Sequence, residues 1–171
     1  MKLCGVFALF SALLATPLPG SHLIEGVPYI RQERLLCGPA CLGMVLGYYG
    51  VTIPQERLAE ELYRKELSGT LNLDLLVAAR RHGFDAGMHR GSLELVRDYL
   101  RRNVPVIALV RVSEKPERYH YLVIFGYDDE AETLTVHSGN IRAGEIGYAG
   151  FQRDWAAADR WMLTVERKKD W

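Results

Sequence analysis

A cysteine, a histidine and a glutamine stand in this chain where acyl-transfer chemistry needs them. Cys37 is followed by Gly38-Pro39-Ala40, and apolar residues recur at Ala40, Cys41, Met44, Val45 and Tyr48. That spacing predicts a helix over 38–49, with Cys37 at its mouth, Pro39 in the first turn and Gly50 at the stop. A thiol attacks as the thiolate, and unpaired N–H groups at a helix N-terminus favour negative charge, so this placement is expected to lower the Cys37 pKa. His120 opens the run His120-Tyr121-Leu122-Val123-Ile124, a predicted strand whose polar end faces a cleft. An imidazole there can take the thiol proton and return it to a leaving group. Gln32 lies five residues before Cys37 in a polar approach segment. Its amide and the Cys37 backbone N–H are candidate donors to an oxyanion.

The remaining chemistry-bearing residues read as structural. Cys41 falls one turn inside the helix, where a cysteine is a small core residue. Two cysteines four apart on one helix are poorly aimed for a bridge. No second Cys or His pair follows at ligand spacing, so the zinc signal is weak and no metal or organic cofactor is implied. His82 and His89 are assigned to a solvated helix end and the segment after it, and His22 to the N-terminal tail or the cleavage region. His137 reads either as a structural residue near the site or as a second polar group in the cleft. Arg80-Arg81 and Arg101-Arg102 read as solvated helix faces, and Trp155 and Trp161 as core.

The positioning elements follow from periodicity and punctuation. An extended segment over 27–30 leads to the nucleophile helix. Helices are predicted over 54–65 and 71–82, with a Ser68-Gly69 turn between them, and over 93–102 behind a Ser92 cap. A short strand is predicted over 84–89. From residue 104 the β-branched content rises, giving strands over 104–112, 119–127, 134–137 and 161–165 and a helical stretch over 151–157. Residues 139–147 read as a Gly-containing loop. Helices followed by strands argue an α+β domain with an antiparallel sheet.

Two segments carry a resemblance to a known family. QERLLCGPACL (32–42) resembles the nucleophile motif of the bacteriocin-processing, double-glycine leader peptidases of the papain-like superfamily. HYLVIFGYDDEAETLTVHSG (120–139) resembles their His-bearing strand, the hairpin after it and the strand that brings the third catalytic residue. The resemblance runs over roughly 27–165 and is greatest to stand-alone exported bacterial members. It implies a papain-like cysteine peptidase fold, Cys37 as nucleophile, His120 as base, Gln32 in the oxyanion hole, and a peptide or protein substrate. The chain departs from the family pattern twice. Leu36 stands where the family has Asp before the nucleophile, and Ser138 where it has the orienting Asp. The Ser138 hydroxyl or the Asn140 amide would then orient His120. Besides peptide hydrolysis through a thioester, the same resemblance admits a non-catalytic papain-like binding module, or an amidase- or transglutaminase-type acyl transfer.

Composition bounds the rest. The 171 residues are 49% hydrophobic and carry 21 cationic against 21 anionic side chains, which gives no reason to expect nucleic-acid binding. Residues 3–14 are almost uniformly apolar and end in Pro17, Pro19 and Gly20, as the apolar part of a secretory signal peptide does. The expected organisation is a signal peptide over 1–20 and one peptidase domain over 21–171. The expected location is periplasmic or extracellular, with membrane association only through an uncleaved N-terminal segment.

Overall fold

The computed structural model describes residues 20–168, so the signal-peptide assignment lies, but for Gly20, outside the described residues. The order of elements is β1 (Ser21–Leu23), α1 (Cys37–Tyr48), α2 (Gln55–Leu62), a 3-10 turn (Lys65–Leu67), α3 (Asn72–Arg81), β2 (Phe84–Arg90), α4 (Leu93–Arg101), β3 (Val106–Glu114), β4 (Glu117–Asp128), β5 (Thr133–Ser138), β6 (Ile141–Gly147), α5 (Tyr148–Ala156) and β7 (Trp161–Arg167). The strands form one antiparallel sheet in the order β2-β7-β3-β4-β5-β6. The three-residue β1 pairs with Gly126–Asp128 of β4, past the point where β3 stops.

Alternation along the central strands divides the core into two faces. Ile107, Tyr121, Val123, Leu163 and Val165 meet α1, α2 and α3 on one face. Val106, Ala108, Leu122, Ile124 and Met162 meet α4 and α5, through Val96, Leu100, Phe151 and Trp155, on the other. The sheet is therefore covered on both sides, which suits strands as uniformly apolar as β3 and β4.

Helix α1 is the central piece. Every residue from Gly38 to Leu46 is buried, so the helix lacks a solvated face over its first nine turn-forming positions after Cys37. Small residues permit this enclosure. A Cβ at Gly47 would come within 2.9 Å of the Pro28 ring, so glycine lets the lead-in segment lie directly on the helix. The Ser92 hydroxyl accepts from the Leu95 N–H at 3.1 Å and caps α4.

The sequence reading needs correction at two strands: His22, assigned to the N-terminal tail or the cleavage region, lies in β1, because β4 offers that short segment an edge to pair with. Residues 139–147 are not a loop; after a Gly139-Asn140 turn they form the edge strand β6, paired with β5. Its residues are mostly exposed and lack apolar alternation, so the signal that marks an inner strand is missing. The turn itself uses Gly139 at φ 58°, a left-handed conformation that glycine adopts without steric cost.

Candidate active site

Cys37 is the first residue of α1, and the chain that delivers it is held from across the molecule. The Gln32 N–H and the Tyr29 hydroxyl both donate to the Gly139 carbonyl, at 3.2 and 3.1 Å. Arg31 Nε donates to Asn140 Oδ1 at 3.2 Å. The lead-in is thereby tied to the turn that follows β5. It then bends at Leu35, whose φ of 68° is costly for a leucine, and Leu36 takes the N-cap position without a side-chain hydrogen bond. Just inside the helix, a Cβ at Gly38 would sit 2.8 Å from Thr70 Cβ and Oγ1 and 2.9 Å from Cγ2. The Gly in Cys37-Gly38-Pro39-Ala40 is thus required by the close approach of Thr70.

His120 lies near the start of β4, opposite Val110 of β3. Its Nε2 is hydrogen-bonded to Ser138 Oγ at 3.1 Å. Of the two residues the sequence left open beside His120, Ser138 makes the contact. Asn140 is exposed and engaged by Arg31. The Gln32 amide Nε2 donates to Cys41 Sγ at 3.4 Å and to the Tyr121 carbonyl at 3.5 Å, while its Oε1 is buried without a partner. Gln32, Cys37, His120 and Asn140 all line one cleft of about 1060 Å³. The three residues singled out for chemistry therefore reach one cavity from two separate stretches of chain, the lead-in with the start of α1 and the start of β4. Among the described residues, no hydrogen bond joins the Cys37 thiol to His120.

Burial sets the resting charges. It pushes the Cys37 thiol up from its ordinary value of 9.0, against the opposing pull of backbone N–H groups of Tyr121, Gly38 and Cys37 itself. Burial also lowers His120 from 6.5. The expected lowering of the Cys37 pKa by the helix N-terminus is thus outweighed, because the half-buried thiol loses much of its solvation at the floor of the cleft. Both shifts favour the neutral thiol and the neutral imidazole over the charged pair. Cys41 is fully buried and is raised further by desolvation, and among the described residues Cys37 and Cys41 are both free.

The other histidines resolve individually. His137 is 3% exposed and does not line the cleft, so of its two readings the structural one describes it. His89 is half-buried, and its Nε2 lies 3.0 Å from Thr164 Oγ1 and 3.4 Å from the Tyr99 hydroxyl. His82 Nε2 faces Glu61 at 3.4 Å, and His22 Nε2 contacts Asn103 Oδ1 at 3.0 Å. Trp155 is core, at 1% exposure, and Trp161 packs edge-on to Tyr121 with ring centroids 5.6 Å apart.

Two features escaped the sequence reading. Tyr121 joins the walls of the cleft: its hydroxyl donates to Asn72 Oδ1 and to the Thr70 carbonyl at 3.2 Å, and its carbonyl accepts from Gln32. Its place directly after His120 was the available signal. The second feature is an apolar rim. Leu35, Leu67, Leu71, Leu73 and Tyr119 are each more than 40% exposed and all line the cleft. Leu67 falls between the predicted helices, and such an unexplained apolar residue was the clue to it.

Comparison with known proteins places this geometry in a family. The model of the Peptidase_C39 like family matches residues 24–162. An uncharacterised protein of Methanothermobacter marburgensis is 40% identical over 151 residues, covering 88% of this chain and 95% of that one. The lactococcin-G-processing and transport ATP-binding protein LagD of Lactococcus lactis subsp. lactis is 26% identical over 126 residues, 73% of this chain. The chain spans only 17% of the length of that transporter. The crystal structure of a double glycine motif protease from an AMS/PCAT transporter, in complex with the leader peptide, superposes with a TM-score of 0.67 at 23% identity, over 86% of this chain and 99% of that one. The α+β arrangement of a papain-like peptidase domain is therefore the fold, and this chain belongs to the Peptidase_C39 like family.

Proposed function

We propose that the chain is a cysteine peptidase that hydrolyses peptide bonds through a thioester on Cys37. One observation carries the reading: Gln32, Cys37 and His120 line a single cleft, with His120 Nε2 held by Ser138. With Nε2 so engaged, Nδ1 is the nitrogen that takes the thiol proton. The sulfur attacks the peptide carbonyl as that proton moves, and the oxyanion is met by the Cys37 N–H and the Gln32 amide. The Gln32 amide must turn from the Tyr121 carbonyl to do so. Collapse breaks the C–N bond, His120 protonates the leaving amine, and the acyl group stays on sulfur. Water then attacks the thioester, giving a proton to His120, and the thiol is restored as the carboxylic acid departs. Because burial favours the neutral pair, proton transfer accompanies attack rather than preceding it.

A peptide is the substrate best matched to the apolar rim, and the leader peptide bound by the structurally similar transporter protease supports that class. The proposed setting is periplasmic or extracellular, on the strength of the apolar N-terminal stretch.

A binding module that holds peptides without turnover is the second reading. It is favoured by the hydroxyl of Ser138 in place of a carboxylate beside His120. Incubation of the full chain with Gly-Gly-containing leader-type peptides, read by mass spectrometry, separates the two. Cleavage lost in both Cys37→Ala and His120→Ala supports the peptidase. Peptide binding without cleavage, together with iodoacetamide labelling of Cys37 that ignores His120→Ala, supports the module.

A further inference from the structure

His137 has no part in the chemistry above, yet it is the most completely engaged histidine of the chain. It is 3% exposed. Its Nδ1 accepts from the Ala143 N–H at 3.0 Å, and its Nε2 lies 3.3 Å from the Val27 carbonyl. An acceptor at Nδ1 and a carbonyl facing Nε2 admit one state only, the neutral ring with its proton on Nε2. The two partners belong to different parts of the molecule. Ala143 is in β6, across the turn from Ser138, and Val27 is in the segment that leads to Gln32 and Cys37.

The ring is also clamped by packing. Its centroid lies 5.3 Å from that of Tyr29, on the lead-in, and 4.3 Å from that of Phe125, on β4. Tyr29 in turn donates to the Gly139 carbonyl, the residue after Ser138. The groups facing the imidazole are therefore a phenol from the lead-in, an uncharged ring from β4 and, from β6, the Arg142 cation.

We propose that His137 is a positioning residue: its neutral form latches β6 to β5 through Ala143, closing the hairpin that presents Ser138 to His120, while its Nε2 ties that hairpin to the lead-in segment that presents Gln32 and Cys37. A proton added at Nδ1 consumes the lone pair that accepts from Ala143 and turns two N–H groups toward each other. The latch then opens on the β6 side while the Val27 contact remains. Burial and the Arg142 cation oppose that proton and together outweigh the Val27 carbonyl, which favours it, so the latch stays shut at neutral pH and opens on the acid side of 6.5. The effect on Cys37 reactivity rests on the assignment of Cys37 and His120 as nucleophile and base; the latch itself does not.

The test is made on the full chain. Long-range nitrogen–proton spectra report the His137 tautomer across pH, and amide exchange reports protection of Ala143. Expected at neutral pH is an unprotonated Nδ1 and a protected Ala143 amide. As His137 titrates, the Ala143 protection factor should fall by about tenfold, the scale of one lost hydrogen bond. In His137→Asn, whose side-chain oxygen can accept from Ala143 without titrating, protection should be independent of pH. Iodoacetamide labelling of Cys37 should then lose less rate on acidification in the variant than in the wild-type chain. A proton on Nδ1 at neutral pH, or Ala143 protection unchanged through the His137 titration, overturns the latch. An intact latch with Cys37 labelling indifferent to His120→Ala leaves the latch standing and removes the peptidase reading instead.

Discussion

Replacing Ser138 with aspartate tests the electrostatics of the site most directly. In this chain His120 Nε2 meets a neutral hydroxyl at 3.1 Å, and burial holds its pKa below 6.5. Ser138→Asp would put a carboxylate at that contact. At about 4 Å and an effective dielectric of about 20, the attraction for imidazolium is about 4 kcal/mol. Part of it is offset by enclosing the new carboxylate in a half-buried position, which leaves the 1–3 unit rise that a nearby opposite charge typically produces, or about 1.4–4 kcal/mol. Imidazolium then becomes populated at neutral pH, and the ion pair with the Cys37 thiolate is favoured over the neutral pair. Iodoacetamide labelling of Cys37 at pH 7, read by peptide mass spectrometry, should accelerate by about tenfold or more. Ser138→Ala should slow it, by up to about tenfold, since one hydrogen bond to the base is lost. A proton titration of His120 by nuclear magnetic resonance checks the cause. If Ser138→Asp leaves the His120 pKa where it was, Ser138 does not face the imidazole and the argument for its orienting role fails.

Other expectations follow from the same contacts. Gly38→Ala should destabilise the chain by about 1–3 kcal/mol in urea unfolding, because the new methyl overlaps three Thr70 atoms, and Thr70→Gly in the same chain should restore most of the loss. Equal or greater stability for Gly38→Ala alone would contradict the close approach. Tyr121→Phe should cost about 1–2 kcal/mol, since Asn72 and the Thr70 carbonyl both lose their donor, and should alter Cys37 labelling with the fold intact by circular dichroism. For pH, His120 and His137 both have folded pKa values below 6.5, so the unfolded chain takes up protons first on acidification. Stability should therefore fall as pH drops below about 6.5. Cys37 and Cys41 are raised above 9.0, so the unfolded chain loses those protons first and stability should also fall as pH rises through that value. Urea midpoints at pH 5, 7 and 10 check both limbs, and a higher midpoint at pH 5 than at pH 7 would refute the first.

The sequence by itself determined what depends on neighbours along the chain. The helix behind Cys37, with Pro39 in its first turn and Gly50 after its end, was legible because capping and apolar spacing act over a few residues. The strand that begins near His120 was legible for the same reason, since β-branched runs declare themselves locally. Edge elements were not. Residues 21–23 are too short to show alternation, and residues 141–147 carry little apolar content, so both become strands only because β4 and β5 offer them an edge.

The site divides in the same way. Residue types and order picked out Gln32, Cys37 and His120, which the fold brings to one cleft. The choice between Ser138 and Asn140 needed the tertiary structure, because Arg31, more than a hundred residues away, holds Asn140 at the surface. The direction of the Cys37 shift needed it too. A helix N-terminus can be read from a sequence, whereas the burial of that thiol beside Tyr121 of β4 exists only once distant segments have packed. Desolvation is a property of that packing, and at this site it outweighs the local field.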